Sequence, residues 1–436
     1  MTVVERLRMF AATSIVVRPL CFIAVGMVAA PIVLGVDAAL PELVPGVFRF
    51  PPGTARALLV TLAGATLTVA GITFWVRSAS VQLASSQYSP RVVHEFLQDW
   101  FQQSMMGLLV GFFAFIVAVL RAVPDVADPS GDPGPVPHLS VLVAVALAGG
   151  SVLVVLVAIR NAVRSMQPGE LARRITDQTV DVVRAAHPQR GAMDPDVEPH
   201  EPLPVGRGQV VRAADDGWVH GVAELELLEV LPVGAQVALH VRIGLYVVPG
   251  RALCTVWADG LPLPEAAVAQ VREAFDLGRT RSAARDIHLG IQQLVDVALG
   301  SLAQGAGDVS SAYEVMVHLE LVLRELLWRD LPPVTVVDAD ARRLEYLRDF
   351  SFADYVGEAF DRLRQAAAAH PQVAVGLLDI IGSLAADLEA AGLPRRSQPL
   401  WRQARLVLAS AEAAEGVLDE DLAPLRRVAG RYGLTV

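Results

Sequence analysis

The sequence predicts an α-helical membrane protein, with four transmembrane helices followed by a cytoplasmic α+β body. Three observations support this fold class. Hydrophobic residues make up 53% of the 436 residues and charged residues only 19%, which is too apolar for an ordinary soluble chain. Four long uncharged stretches lie within the first 160 residues. Residues 209–259 then change to the alternation of apolar and polar side chains that is typical of strands.

Four apolar stretches near the N-terminus qualify as membrane spans. Crossing about 30 Å of hydrocarbon takes about 20 residues at about 1.5 Å per residue. We expect the spans at residues 17–36, 57–76, 102–122 and 139–159. The first is the shortest, and Pro31 is expected to kink it near its outer end. A signal peptide is the alternative, but Pro31 would directly follow a cut after Ala30, so we favour an uncleaved helix.

The distribution of arginine predicts the orientation. The chain contains no Lys, so Arg supplies all 36 basic residues. Arginines precede the first span, lie between spans two and three, and follow span four, whereas the other side carries only Arg49, Arg56 and Arg121. By the positive-inside rule, we expect a multi-pass protein of the cytoplasmic (inner) membrane with both termini in the cytoplasm. The body after residue 160 holds 38 of the 46 acidic residues, so the acidic character is cytoplasmic.

The spans carry small residues at helix-packing spacing in place of charges. Spans two and four contain no ionisable residue, so coupled transport lacks its usual carriers there. Small side chains let two helices approach closely. The candidate pore-lining or helix-packing residues are Thr61, Gly64, Thr68, Gly71, Gly107 and Gly111. They fit packing inside one four-helix bundle, and those of span two also fit a self-association face or a pore lining.

Residues 77–104 are predicted to form a structured elbow at the cytoplasmic membrane surface. Ser89 suits a helix cap and Pro90 the first helical position. Apolar residues then recur at helical spacing from Val92 to Phe101, as in an interfacial amphipathic helix. The residues assigned to this membrane elbow are Gln87, Tyr88, Ser89, Pro90 and Arg91.

The elbow and a later block resemble a known family. The run Ser-Ser-Gln-Tyr-Ser-Pro-Arg at residues 85–91 resembles the bacterial integral-membrane family catalogued as domain of unknown function 2254, and the block at residues 278–298 agrees with it. At residues 302–309 the chain departs from the family's usual Leu-Ser-Pro-Gly-Ile-Asn-Asp-Pro turn, of which it keeps Leu302, Gly305 and Asp308. The resemblance implies four spans followed by a cytoplasmic region, and it implies no established activity.

The chain is predicted to have four parts. A transmembrane domain at residues 1–160 precedes a juxtamembrane region at 161–206, with a helix expected at 168–186 and a Pro-rich linker at 187–206. A small β domain at 207–262 and a helical domain at 263–436 follow. In the β domain, Val237, Leu239, Val241 and Ile243 alternate with polar or small residues and predict a half-buried strand. We expect four to six such strands in a small barrel or sandwich.

One helix of the helical domain carries the candidate ligand or subunit contact. We expect this helix at about residues 282–304, with its polar residues within an arc of roughly 120° opposite an apolar face. Arginines lie at its start, where backbone N–H groups favour an anion. The candidate residues are Arg279, Thr280, Arg281, Asp286, Gln293 and Asp296. The arginines either pair with Asp286 and fix the helix start, or bind an anionic ligand or another subunit.

Catalytic signatures are missing from the sequence. It has no G-x-S-x-G, no HExxH and no phosphate loop, and without Lys it has no Schiff-base residue. We therefore expect no enzyme activity, no catalytic residue, no cofactor and no metal site, and we expect Cys21 and Cys254 to be free thiols.

Two functions fit this organisation. The favoured hypothesis is a homo-oligomeric ion channel or conduit with a cytoplasmic regulatory body. The alternative is a non-conducting membrane-anchored sensor or scaffold that binds a ligand or protein partner through that body. The expected partners are the lipid bilayer, further copies of the chain and inorganic ions; the net charge of −10 argues against nucleic acid.

Overall fold

The computed structural model divides the chain into two compact units, Met1–Gln167 and Pro168–Val436. It describes residues 17–40, 42, 44–87, 89, 100–124, 136–165, 167–189, 208–259, 261–303, 308–332, 335–347 and 351–434. The first unit is helical, and the second is a mixed body of helices and strands.

The described residues of the first unit include four helices that are each long and apolar enough to cross a membrane. They are α1 (Val17–Ala39), α2 (Pro52–Gln87), α3 (Trp100–Ala122) and α4 (His138–Ser165). They confirm the four predicted apolar helices. Helix α2 has 36 residues and is therefore about 54 Å long, well beyond the hydrocarbon thickness. Its predicted span is therefore only the central part of a longer helix.

All four helices contribute to one apolar core. Leu59, Ile116 and Val141 are fully buried there, together with Ala30 from α1. Helix α1 crosses α3 at a contact between two glycines, since a Cβ on Gly26 would lie 2.2 Å from the carbonyl oxygen of Gly111. Only glycine permits this separation, which is how small residues bring membrane helices together.

The start of α4 is fixed by a residue of α1. The carboxylate of Asp37 accepts hydrogen bonds from the backbone N–H of Ser140 at 2.9 Å and from its hydroxyl at 3.1 Å. The first N–H groups of a helix have no partner within the helix, so Asp37 acts as a capping residue contributed from another helix. Beside it, the backbone N–H of Phe50 donates to Nδ1 of His138 at 3.3 Å.

The second unit begins with α5 (Pro168–Ala186), at the bounds expected for the juxtamembrane helix. The remaining helices are α6 (Glu224–Glu229), α7 (Glu265–Glu273), α8 (Ile287–Ala303), α9 (Val309–Leu327), α10 (Phe352–Ala367), α11 (Pro371–Ala390), α12 (Pro394–Glu412) and α13 (Asp419–Arg431). Local signals fix several starts: Ser351 and Asp354 form a capping box for α10, and prolines open α11 and α12.

The strands form two sheets around a shared core that also includes residues of α6 and α7. The strands are β1 (Gln209–Arg212), β2 (Gly217–Val222), β3 (Gln236–Leu239), β4 (Tyr246–Val247), β5 (Ala252–Trp257), β6 (Phe275–Gly278), β7 (Thr335–Val337) and β8 (Arg343–Glu345). Their orders are β1-β5-β3-β8-β7 and β4-β2-β6. Within the described ranges neither order closes on itself, so the structure does not show the predicted barrel.

The predicted half-buried strand is shorter than expected and is not half-buried. Strand β3 ends at Leu239, and Val237, Ala238 and Leu239 are all buried. The reason is its central position: β3 pairs antiparallel with β5 and parallel with β8, so it lies inside the sheet. The alternation in the sequence continues to Ile243, but the ladder does not.

Helix α8 begins five residues later than predicted and is buried on nearly all sides. It packs against α5, α9 and α10, and its buried residues include Gly290, Gln293 and Asp296. The prediction of a polar stripe opposite an apolar face is therefore wrong. Ala284, which falls within the predicted helix, lies before the observed one and is exposed. A helix between three others has no solvent side, so its polar residues must find partners inside.

Candidate functional site

An ion pair fixes the start of α8. Asp286, 3% exposed, accepts a hydrogen bond from the backbone N–H of Leu289 at 3.0 Å. Arg281 donates two hydrogen bonds to the same carboxylate: Nε lies 2.5 Å from Oδ2, and a terminal nitrogen lies 3.1 Å from Oδ1. A buried carboxylate needs such a partner to offset its lost hydration. The Arg281 guanidinium is thus engaged by Asp286.

The ion pair continues into a polar network between α8 and α10. The remaining terminal nitrogen of Arg281 donates to Gln292 at 2.9 Å, and the Gln292 amide donates to Glu358. The other carboxylate oxygen of Glu358 lies 2.5 Å from Nδ1 of His288. The His288 ring stacks on Tyr355, with 4.5 Å between centroids and 10° between planes. The contacts of Gln292 and His288 with Glu358 and Tyr355 join α8 to α10, so the network holds these two helices together.

The β sheets approach the same ion pair from the other side. Arg281 lies over the ring of Trp218, 5.7 Å from its centroid, in a cation–π contact. Gly244 has a φ of +79°, and a Cβ there would lie 2.2 Å from Oδ2 of Asp286. Only glycine fits this turn for both reasons. The sequence signal for this contact was Gly244 itself, which directly follows the alternating apolar residues that end at Ile243.

A buried histidine lies beside the network. His187, 3% exposed, lies at the end of α5, and neither ring nitrogen has a hydrogen-bond partner among the residues that the structure describes. Its ring meets that of Tyr355 edge-on at 6.3 Å. Burial, then the positive charge of Arg329, then His288 lower the pKa of His187 to about 4. His187 is the first residue of the predicted Pro-rich linker and is buried directly after α5, whereas residues 190–207 of that linker lie outside the described residues.

The pKa of Tyr355 is raised, so its phenol also stays neutral. Burial is the main reason that its pKa is raised, and the neighbouring carboxylates of Glu358 and Asp286 add to the shift. At neutral pH the cluster therefore contains a neutral phenol and a neutral His187 imidazole. It has the properties of a packed junction between α5, α8 and α10.

The structure separates the candidate contact residues into three groups. Arg281 and Asp286 form the ion pair, whereas Gln293 and Asp296 are buried farther along α8, and Asp296 pairs with Arg362 at 2.6 Å. Arg279 and Thr280 are exposed. The carbonyl oxygen of Thr280 accepts a hydrogen bond from Nε2 of His220 at 2.7 Å. Within the described part of the chain, Arg279 forms no ion pair.

Two of the candidate glycines in the membrane helices serve packing between α1 and α3. A Cβ on Gly107 would lie 2.6 Å from the ring of Phe22, and one on Gly111 would lie 2.7 Å from the carbonyl oxygen of Phe22. Both glycines therefore pack against α1 within the bundle.

The candidates on α2 face outward. Added Cβ atoms on Gly64 and Gly71 would have no neighbour within 4 Å in the structure as described. Thr61 and Thr68 are also exposed, and their hydroxyls donate to backbone carbonyls one turn earlier, each at 2.9 Å. At about 100° per residue these four residues share an arc of roughly 80°. We call this set the α2 small-residue stripe; it is bordered by the exposed large residues Val60, Leu67 and Phe74.

The elbow and the altered family turn are only partly described. Gln87 ends α2, Ser89 is described outside any helix or strand, and Tyr88, Pro90 and Arg91 lie outside the described residues. In the turn, Asp308 caps α9, with its carboxylate accepting from the backbone N–H of Ser311 at 3.0 Å. Gly305 also falls outside the described residues.

Metal-binding and thiol chemistry find little support in the described residues. Searching these ranges reveals no group of three or more His, Cys, Asp or Glu side chains that could hold a metal ion. Both cysteines are free thiols, as predicted. Cys254 is buried, which raises its pKa to about 12 and suppresses its reactivity.

Comparison with known proteins gives a family but no activity. The family model described as predicted membrane protein (DUF2254) matches residues 12–383. Uncharacterized protein Mb1321c of Mycobacterium bovis and uncharacterized protein Rv1290c of Mycobacterium tuberculosis are each 27% identical to this chain over 373 residues. In both cases the match covers 84% of this chain and 70% of the relative. No solved structure is significantly similar.

Proposed function

The chain belongs to the DUF2254 family of predicted membrane proteins, and from this premise we propose that it is a homo-oligomeric ion conduit of the cytoplasmic membrane. Both termini and the acidic body are on the cytoplasmic side, as the distribution of arginine predicts. The observation that carries the proposal is the α2 small-residue stripe on the outside of the bundle.

The filled interior of the bundle directs the conduction path to its outside. Leu59, Ile116 and Val141 are fully buried at its centre. Such a core is packed to the density of an organic crystal and leaves no room for a hydrated ion. An ion path therefore lies between copies, which is possible only if an outer face of each bundle meets a neighbour.

The α2 small-residue stripe suits that face. Glycine lets helices of neighbouring copies approach closely. The hydroxyls of Thr61 and Thr68 donate to backbone carbonyls, so their oxygens keep lone pairs that can accept from water or bind a cation. The body carries 38 acidic residues against 27 arginines, which concentrates cations at the inner mouth.

Particle mass and ion flux test the proposal. The intact protein in nanodiscs is expected to contain three or more copies and to pass ions in liposomes. Gly64→Leu and Gly71→Leu are expected to lower both copy number and flux, because the larger side chain keeps neighbouring helices apart. Gly149→Leu is the matched control, since Gly149 is also exposed and open but lies between Val145 and Leu153 on α4. A monomer without flux, or equal effects of all three substitutions, would refute it.

Exposed Arg279 favours a second candidate function, a non-conducting sensor or scaffold. It directly follows β6 and has no ion pair among the described side chains, so its guanidinium is available to an anion. Inorganic phosphate is expected to raise the melting temperature of the full chain, and Arg279→Ala to abolish the shift. Arg251→Ala is the control, because Arg251 is similarly exposed and without an ion pair within the described ranges. No shift across a panel of anionic metabolites counts against this role.

A further inference from the structure

Helix α12 presents three arginines on one exposed face. Arg395, Arg402 and Arg405 share an arc of roughly 80° and extend about 15 Å along the helix. None forms an ion pair with any residue that the structure describes. Like charges three residues apart on a helix repel each other, so this arrangement costs stability in the isolated chain. We call these three residues the arginine face.

Several other arginines of the body form ion pairs. Arg324 contacts Asp387 at 2.7 Å, and Arg396 contacts buried Asp330 at 2.8 Å. The body has an excess of acids, so partners are plentiful. Three neighbouring arginines without an acidic partner therefore form a cationic surface on an acidic body.

The connection between α12 and α13 has the opposite character. We call residues 415–421 the acidic segment, since they include Glu415, Asp419, Glu420 and Asp421. Asp419 contacts Arg426 at 3.2 Å, and the other three form no ion pair in the described structure. Acids in a first turn interact favourably with the helix dipole, which accounts for Asp419, Glu420 and Asp421 at the start of α13. It does not account for Leu418, which is 67% exposed among them.

We propose that the bodies of two copies of this chain bind each other through these surfaces, with the acidic segment of one copy against the arginine face of the other. The charges are complementary. Half-buried Pro399 and Leu406 flank the arginines and give Leu418 an apolar contact. Exposed ion pairs are individually weak. Copies anchored in the same membrane meet at high effective concentration, so weak pairs suffice. The contact does not depend on the α2 small-residue stripe.

The absence of Lys allows a direct test on the full chain. Arg402→Lys introduces a single side-chain amine, which a carbodiimide joins to a carboxylate in direct contact, with overall loss of water. The expected product in nanodiscs is a covalent dimer whose amide maps to residues 415–421. Mixing heavy-isotope and unlabelled chains identifies bonds between copies. Arg251→Lys is the matched control and is expected to give only the background of the N-terminal amine.

Charge and apolar substitutions give a second readout. Each exposed ion pair that is removed is expected to weaken association about two- to five-fold. Arg402→Glu and Glu420→Arg are each expected to lower the dimer fraction in nanodiscs, and the double variant to restore it. Leu418→Ser is expected to lower it without changing charge. Two cross-linking results would overturn the proposal: a yield for Arg402→Lys equal to that for Arg251→Lys, or cross-links to acids outside residues 415–421. A double variant whose dimer fraction is no higher than that of either single variant would also overturn it. Coupling that persists with Gly64→Leu separates this contact from the α2 interface.

Discussion

Replacing His187 by Leu is expected to remove much of the acid sensitivity of the body. The folded protein holds this imidazole neutral, with its pKa lowered from 6.5 to about 4, chiefly by burial. An unfolded chain takes up the proton near pH 6.5, whereas the folded chain does so only near pH 4. Protons therefore favour unfolding between these values: the stabilisation is complete above about pH 6.5 and is lost as the pH falls to about 4.

The size of the effect follows from the shift. About 2.5 pKa units at about 1.4 kcal/mol each correspond to roughly 3.5 kcal/mol of unfolding free energy, of which about 3 kcal/mol is lost by pH 4, where the folded imidazole is half protonated. Leu has nearly the volume of His and leaves no unpaired polar atom, so the variant is also expected to be at least as stable at pH 7.

Urea unfolding of the full chain in detergent, followed by tryptophan fluorescence between pH 7 and pH 4, measures the difference. His370→Leu is the control, because His370 precedes α11, is half-buried and makes no side-chain capping bond there. The wild type and the control are expected to lose about 3 kcal/mol more than His187→Leu over this range. An equal loss in all three proteins would contradict burial as the cause of the shift.

Three further substitutions probe the packing. Gly244→Ala is expected to cost about 3 kcal/mol or more of unfolding free energy, since both its positive φ and its contact with Asp286 exclude a Cβ. Gly250→Ala, at φ +85° with open space around it, is expected to cost only about 1 kcal/mol. Urea unfolding compares the two variants. Gly111→Leu is expected to force α1 away from α3 and to leave the protein protease-sensitive in membranes. Arg396→Ala is expected to cost about 3–5 kcal/mol in the same unfolding assay, because it breaks the ion pair with buried Asp330, and equality with Arg395→Ala would refute this.

The sequence was most informative where one segment determines its own structure. An uncharged run of about 20 residues can satisfy its backbone in lipid only as a helix, so the four membrane helices could be predicted. Helix α5 also has strong local signals, with Pro168 at its first position, and its bounds were predicted correctly.

Long-range pairing limited the remaining predictions. Strand β8 pairs with β3 across about 107 positions, from Gln236 to Arg343, so no local pattern places it in the sheet. Helix α8 has polar residues that indicated a surface, but α10 supplies partners for them, such as Arg362 for buried Asp296. His187 follows the same rule, because α8 and α10 create its burial.

The cap of α4 by Asp37 sets an order of assembly. The residue that fixes the first turn of the last membrane helix lies 103 positions earlier, at the end of the first. During synthesis the carboxylate is in place long before the N–H group it will bind. The last membrane helix therefore takes its boundary from the first, and a chain that lost or exchanged its first membrane helix would insert the last one with an undefined start.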